Sequence, residues 1–337
     1  MGSHLCRVAQ GRGWSPVTLV RPESSPIALE GVDVERRGGD LLDPPSVARA
    51  MEGIDTVFHV AAVHRNFAAD PRDIVRPAVE GTEVVLGAMK AAGVKKLVHT
   101  STAATVGFPR DPSKPYDEAH TLEGPTNPYI QGKVEAERRV LAAHGAGTVQ
   151  AVVVNPSGIF GAGDYRITPA TRAIIGLLQG DPAFLHLCAT AVADVAEGHA
   201  RALERGTPGE RYLLTGDNLA PKELAALFSE LGGVKPANFR PPLFLLRFLA
   251  GRAEKKALRD GCDAPLTRTA LADLDGGHLV YDASKSIREL GMTYRPAREV
   301  LKQTFRWLLH RDVLAPKTAA RVRGALGDDA VPDAHWR

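Results

Sequence analysis

The sequence predicts a doubly wound α/β fold: a parallel sheet with helices on both faces, followed by a smaller, mostly helical lobe. Three observations carry this. Short β-branched runs alternate with helical stretches through the first half, the pattern that produces crossover connections between parallel strands. One strand, AVVV at 151–154, is continuously apolar, which fits burial on both faces of a sheet. Glycine and proline stand where helices should stop and start.

The elements follow in order. VTLVR (17–21) and VDVER (32–36) read as strands, and PPSVARAMEG (44–53) as a short helix opened by proline. DTVFHVAA (55–62) is a strand, followed by a longer helix that stops at about Gly93. KLVHTST (96–102) is the next strand, NPYIQGKVEAERRVLAAHG (127–145) a helix ending in glycine, and TVQAVVVNP (148–156) a strand closed by proline. Beyond it the periodicity predicts helices over 168–179, 192–205, 220–231, 242–260 and 297–311. RYLL (211–214) and HLVY (278–281) read as short strands. The chain divides into a sheet domain over 1–165, a mixed region with a second lobe over 166–317, and a charged, glycine-bearing tail over 318–337 expected to fray.

Composition narrows the function. A 337-residue chain with 44% hydrophobic and 24% charged residues is that of an ordinary globular protein with a sizeable core. Its net charge of +3 gives no warrant for a nucleic-acid or membrane partner. Cys6, Cys188 and Cys262 lack CxxC or Cys/His spacing, which argues against disulfides and zinc and fits a reducing cytoplasm. His64, His120 and His199 have no metal-ligand spacing, and no metal is expected. The most apolar stretch, PLFLLRFLA (242–250), is shorter than the roughly 18 residues that span a bilayer. With Arg247 inside it, the stretch reads as a buried or substrate-covering helix.

The chemical lead is Tyr129-Ile-Gln-Gly-Lys133. Residues four apart share one face of a helix, so phenol and ammonium can address one pocket. A free tyrosine, with a pKa of about 10, is a poor base near neutrality. A lysine about 4 Å away, at an effective dielectric near 20, is worth roughly 4 kcal/mol, or about 3 pKa units. That would make the tyrosine a useful acid/base. His59 reads as structural, and Asp117-Glu118 as a loop brace.

With YxxxK opening a helix between two buried strands, the order of elements resembles the extended short-chain dehydrogenase/reductase family, close to its general epimerase/dehydratase group. The dihydroflavonol-reductase-like branch is the most similar. GGDLLD (38–43), VFHVAA (57–62), EGTEVVLGAMKAAGVKKLVHTSTAATVG (80–107), VNPSGIFGAGD (154–164), RYLLTG (211–216) and YDASKSIRELG (281–291) carry the resemblance in order along almost the whole chain. It implies a Rossmann-type nucleotide-binding domain followed by a substrate lobe. It makes Tyr129 the catalytic acid/base, with Lys133 lowering its pKa and binding the nicotinamide ribose. Thr102, immediately before AATVG, aligns with the catalytic hydroxyl, and Ser101 is the adjacent reserve.

The family binds its dinucleotide with TGxxGxxG at the first strand-to-helix turn, where the backbone approaches the pyrophosphate at a helix N-terminus. Here Met1–Leu5 resembles the end of that motif, so Gly2 would be its third glycine, and the first strand is expected to be missing from this sequence. Arg21 stands where NAD-preferring relatives carry an acid, which favours NADP(H) with NAD(H) possible. Asp40 and Leu41 would flank adenine, Ala61 and Ala62 would allow close approach of the adenosine side, and Pro156 and Ile159 would pack near the nicotinamide. The asparagine usual in NVxGT is replaced by Ala78.

The resemblance therefore implies hydride transfer between NADPH and a small carbonyl or alcohol substrate. Nucleotide-sugar epimerisation or dehydration is the alternative on the same scaffold. A catalytically impaired dinucleotide sensor is the alternative of another class. The family also suggests a homodimer.

Overall fold

The computed structural model describes residues 1–237, 241–264, 266–274 and 276–330. Helix α1 (Gly2–Gly11) leads into strands β1 (Val17–Val20) and β2 (Glu35–Gly38), helix α2 (Pro44–Ala50) and strand β3 (Thr56–His59). Helix α3 (Arg72–Ala92) ends on Gly93, whose φ of 72° is the left-handed cap that glycine adopts without strain. Strand β4 (Lys96–Thr100), helix α4 (Pro128–Gly145) and strand β5 (Gln150–Pro156) complete the first half. Then follow β6 (Gly158–Phe160), α5 (Pro169–Gln179), β7 (Leu187–Ala191), α6 (Val192–Arg205), β8 (Arg211–Leu214) and β9 (Asp217–Leu219). Helices α7 (Pro221–Gly232), α8 (Leu243–Asp260), α9 (Arg268–Leu274), α10 (Ser284–Leu290), α11 (Ala297–His310) and α12 (Pro316–Leu326) end the described chain.

The main sheet runs β3-β4-β5-β8, parallel throughout. Side chains alternate across it, as strand geometry requires. Leu97, Ala151 and Val153 pack toward Val85 and Met89 of α3 and Val140 of α4. Val98, Val152 and Val154 pack on the opposite face toward Val195 and Ala202 of α6. Both faces are dry, which accounts for the unbroken apolar run. Strands β1 and β2 form a separate parallel pair, with Val17 opposite Glu35. Among the described residues no ladder joins β1 to β3. Instead a cleft of about 2220 Å³ runs between their edges and reaches Tyr129, well above the roughly 300–1,000 Å³ of an ordinary ligand pocket.

Four expectations need correction. The second strand is displaced to Glu35–Gly38, so Val32 packs as a buried residue outside the ladder. HLVY forms no strand: Tyr281 makes one isolated bridge to Tyr116. The division at residue 165 does not separate the layers, because β8 pairs with β5 and α6 covers the sheet. Among the described residues the tail does not fray: Pro316–Leu326 is a helix that buries Thr318, Ala319, Val322 and Leu326. The last three join a second core with Phe228 of α7 and Phe305 of α11, and α12 thereby closes that lobe.

Since Val322 is fully buried and Ala320 is exposed on the same helix, Val322→Asp should lower unfolding stability by more than about 3 kcal/mol, an uncompensated buried carboxylate. Ala320→Asp should stay within about 0.5 kcal/mol of the parent. Urea denaturation followed by circular dichroism reads both. Equal, small losses would mean that α12 is not part of the core.

Candidate active site

The site is built where β4 ends. Three consecutive hydroxyls leave the strand in three directions. Thr100 Oγ1 meets His199 Nε2 on α6 at 2.8 Å. Ser101 Oγ turns to the other face and donates to Glu137 of α4. Thr102 caps the short turn over 103–106, accepting from Ala104 N at 3.4 Å, and hydrogen-bonds the phenol of Tyr129. Of the two candidates, Thr102 is therefore the hydroxyl presented beside Tyr129, and Ser101 is committed to the interior.

Tyr129 owes its position to a strong helix start. Asn127 Oδ1 accepts from Tyr129 N at 2.9 Å and Ile130 N at 3.3 Å, with Pro128 in the first turn. Asp273 of α9 accepts from Thr126 N at 2.6 Å and Asn127 N at 2.8 Å, so the second lobe clamps the start of α4. Gly132 keeps α4 close to α3, since a Cβ there would stand 3.0 Å from that of Ala78. Alanine at 78, the departure noted in the sequence, leaves room for this approach.

Lys133 is buried and donates from Nζ to Thr100 O at 2.7 Å. Burial lowers its pKa to about 8, opposed by the Glu137 carboxylate. Burial raises the Tyr129 phenol to about 12, opposed by the hydrogen bond with Thr102. The expected lowering of the tyrosine by its lysine is thus not what these residues produce. The ammonium is held against a backbone carbonyl, and desolvation dominates at both groups.

Behind this pair lies a buried polar knot that the sequence reading missed. Glu137 Oε2 accepts from Asn155 Nδ2 at 2.9 Å and Thr105 Oγ1 at 3.2 Å, and Oε1 lies 2.7 Å from the Arg211 guanidinium. Asn155 Nδ2 also reaches Thr102 O at 3.3 Å, fixing the backbone that carries the Thr102 hydroxyl. The available signal was spacing: Glu137 follows Lys133 by four residues, on the same helix face. His64, set aside earlier, brings its ring 5.0 Å from that of Tyr129. His59 is structural, with Nε2 3.0 Å from Thr82 Oγ1. Asp117 and Glu118 brace their loop, Glu118 accepting from Leu213 N at 2.7 Å.

The expected cofactor residues fall into two groups. Gly2, Leu41, Ala61, Ala62, Pro156 and Ile159 line the cleft together with Tyr129 and Lys133. The small side chains of Ala61 and Ala62 are open to it, and Gly2 stands in the first turn of α1. Asp40 instead organises its own turn, accepting from Leu42 N at 2.8 Å. Arg21, just past β1, is outside the cleft lining, half-exposed and 3.3 Å from Glu23.

Residues 1–214 match the NAD dependent epimerase/dehydratase family. The chain belongs to that family. It is an NAD(P)-dependent enzyme of the extended short-chain dehydrogenase/reductase type. It is 32% identical over 321 residues to a putative dihydroflavonol 4-reductase of Synechocystis, covering 91% of each chain. It is 33% identical over 318 residues to a 4-hydroxy-2-methyl-3-oxo-4-farnesyl-3,4-dihydroquinoline-1-oxide ketoreductase of Stigmatella aurantiaca, covering 90% of this chain and 93% of that one. Among solved structures, gox2253 superposes with a TM-score of 0.81 at 34% identity, covering 93% of this chain and 96% of that one.

The different directions of the two hydroxyls predict different variants. Thr102→Ala should lower turnover by about 10²-fold or more, the loss of a positioned hydrogen bond to the reacting oxygen, with only the small loss of melting temperature expected for a weak cap. Ser101→Ala should retain most turnover and lose stability, because it strips a donor from a buried carboxylate. The reverse pattern in turnover and thermal melts would exchange the roles.

Proposed function

We propose that the protein reduces a carbonyl group on a small, apolar substrate with NADPH, using Tyr129 as the proton donor. The observation that carries this is Tyr129 hydrogen-bonded to Thr102 at the end of a cleft lined by Gly2, Ala61, Ala62 and Ile159. The small and apolar walls fit a dinucleotide, and the first-turn amides of α1 fit its pyrophosphate. Bound NADPH would supply the hydride. Thr102 and Tyr129 donate hydrogen bonds to the carbonyl oxygen and draw charge onto it. As the carbon is reduced, Tyr129 gives its proton to that oxygen, leaving an alcohol. Lys133, held by Thr100 O, stabilises the phenolate that remains. The ketoreductase relative supports the direction of the reaction.

Arg21 supports the choice of NADPH. Its ion pair with Glu23 is exposed and weak, so the guanidinium can turn to a 2′-phosphate at the end of β1. The slot between β1 and β3 is bounded by two strand edges with which an added extended strand would pair. A chain extended upstream of Met1 by such a strand and TGxxGxx should gain a larger NADPH-dependent thermal shift than the 337-residue chain. An equal shift in the two would refute the strand.

Tyr129→Phe should reduce turnover by roughly 10²–10⁴-fold while preserving the fold. Arg21→Ala should weaken NADPH and leave NADH unaffected. NADPH affinity, followed by fluorescence, should fall as pH rises through about 8, where Lys133 loses its charge; Lys133→Met should flatten that profile. Ketone-dependent oxidation of NADPH to an alcohol product is the deciding assay. Turnover of a nucleotide sugar without net NADPH consumption would replace this reading with epimerisation, and binding without any turnover would replace it with sensing.

A further inference from the structure

Helix α8 was expected to be buried or to cover substrate. Only one side of it is buried. Leu246 and Ala250 pack with Leu271, Phe184 and Leu266, and Glu254 turns inward to accept from Arg268 N at 2.7 Å and Nε at 2.8 Å. The other side faces solvent with Phe244 75% and Phe248 60% exposed, flanked by Leu243, Leu245 and Leu249. Among the described residues, six of the eight large exposed hydrophobics lie on this helix, so the exposure is a patch rather than scatter.

The charge on the same surface is one-sided. Arg247, Arg252, Lys255 and Lys256 are exposed and make no ion pair among the described residues, and Arg252 lies 5.9 Å from the ring centre of Phe248. The two acids of the helix are already engaged, Glu254 with Arg268 and Asp260 with Arg259. An apolar ridge with a collar of unpaired cations is the surface that lies in a headgroup layer, aromatic and leucine side chains at the acyl boundary and cations on lipid phosphates. No helix of the described chain is long and apolar enough to cross a membrane, and α8 lies along the protein surface.

We propose that α8 docks the protein onto a bilayer containing anionic phospholipid, with Phe244 and Phe248 entering the interface and Arg252, Lys255 and Lys256 engaging headgroups. The net charge of +3 that argued against a membrane partner averages over the chain and hides this local excess. Docking here has a consequence for the site. Just past α8, Asp263 accepts from Asn66 N at 3.0 Å and Phe67 N at 2.8 Å, beside the His64 ring that meets Tyr129. Asp273 of the following helix holds the cap of the catalytic helix. The bilayer surface is thereby tied to the loops around Tyr129, the arrangement suited to an apolar substrate drawn from a membrane. This last step rests on the proposed reduction; the docking does not.

The test is flotation of the 337-residue protein with phosphatidylcholine vesicles and with phosphatidylcholine–phosphatidylglycerol vesicles. The protein should float with the anionic vesicles alone, and high salt should release it. Phe244→Ser with Phe248→Ser, and separately Arg252→Glu with Lys255→Glu, should each weaken that binding by roughly tenfold or more; melting curves equal to the parent's show that the exposed substitutions leave the fold intact. Absence from anionic vesicles, equal flotation with both kinds, or flotation indifferent to either pair overturns the proposal. So does a dimer, measured by light scattering, that the phenylalanine pair dissolves while vesicles bind nothing: the patch would then belong to a second copy. Because flotation reads no turnover, failure here leaves the reductase reading standing, and failure of the reductase assay leaves the docking standing.

Discussion

Glu137 is a carboxylate buried between α4 and the sheet, and much of the site is arranged by the need to satisfy it. An unpaired charge there would be strongly destabilising. Its partners come from four parts of the chain: Ser101 at the end of β4, Thr105 in the turn beyond, Asn155 in β5 and Arg211 at the start of β8. Arg211 in turn donates to the carbonyls of Glu118 and His120, at 3.2 and 3.1 Å. The knot therefore ties β4, β5 and β8 together on the side where Thr102 and Tyr129 emerge. It also selects between neighbouring hydroxyls. With Ser101 drawn to the carboxylate and Asn155 holding the carbonyl of Thr102, only Thr102 remains to face Tyr129.

How far the sequence could disclose this depends on whether an interaction is local. Tyr129 and Lys133 share a helix face by spacing alone, and the alternation of apolar runs told which strands would be covered on both sides. Glu137 has the same spacing from Lys133, yet a glutamate in an amphipathic helix ordinarily reads as a solvated residue. Its burial depends on Arg211, more than seventy positions away. Residues 316–326 are misleading in the opposite sense. Three cations and a glycine suggest a solvated tail, while Ala319, Val322 and Leu326 recur at helical spacing and complete a core whose other members come from α7 and α11. HLVY alternates like a strand, but it gains one bridge to Tyr116 and scattered hydrogen bonds to Pro109 and Asn218 in place of a ladder.

The electrostatics of the catalytic pair show the limit of a two-body estimate. A lysine at close range would depress a tyrosine if both stayed hydrated and nothing else competed. Here both groups are desolvated, and the ammonium hydrogen-bonds the Thr100 carbonyl. Desolvation disfavours the charged form of each. It therefore moves the two pKa values toward neutral pairs, the phenol to about 12 and the ammonium to about 8. Glu137 opposes the second shift, so the buried knot also helps to keep Lys133 charged.

The proposed reduction makes a specific demand on that arrangement. A reduction consumes a proton at the substrate oxygen, and the group beside Thr102 already carries it. The reverse reaction needs the phenolate, which in this environment forms only when something else in the cleft compensates its charge. Lys133 is suited to that role, four residues along the same helix, with its charge supported by the carboxylate behind it. In the proposed reduction the same interior carboxylate would set which hydroxyl meets the substrate oxygen and would support the cation that balances the phenolate left after proton transfer.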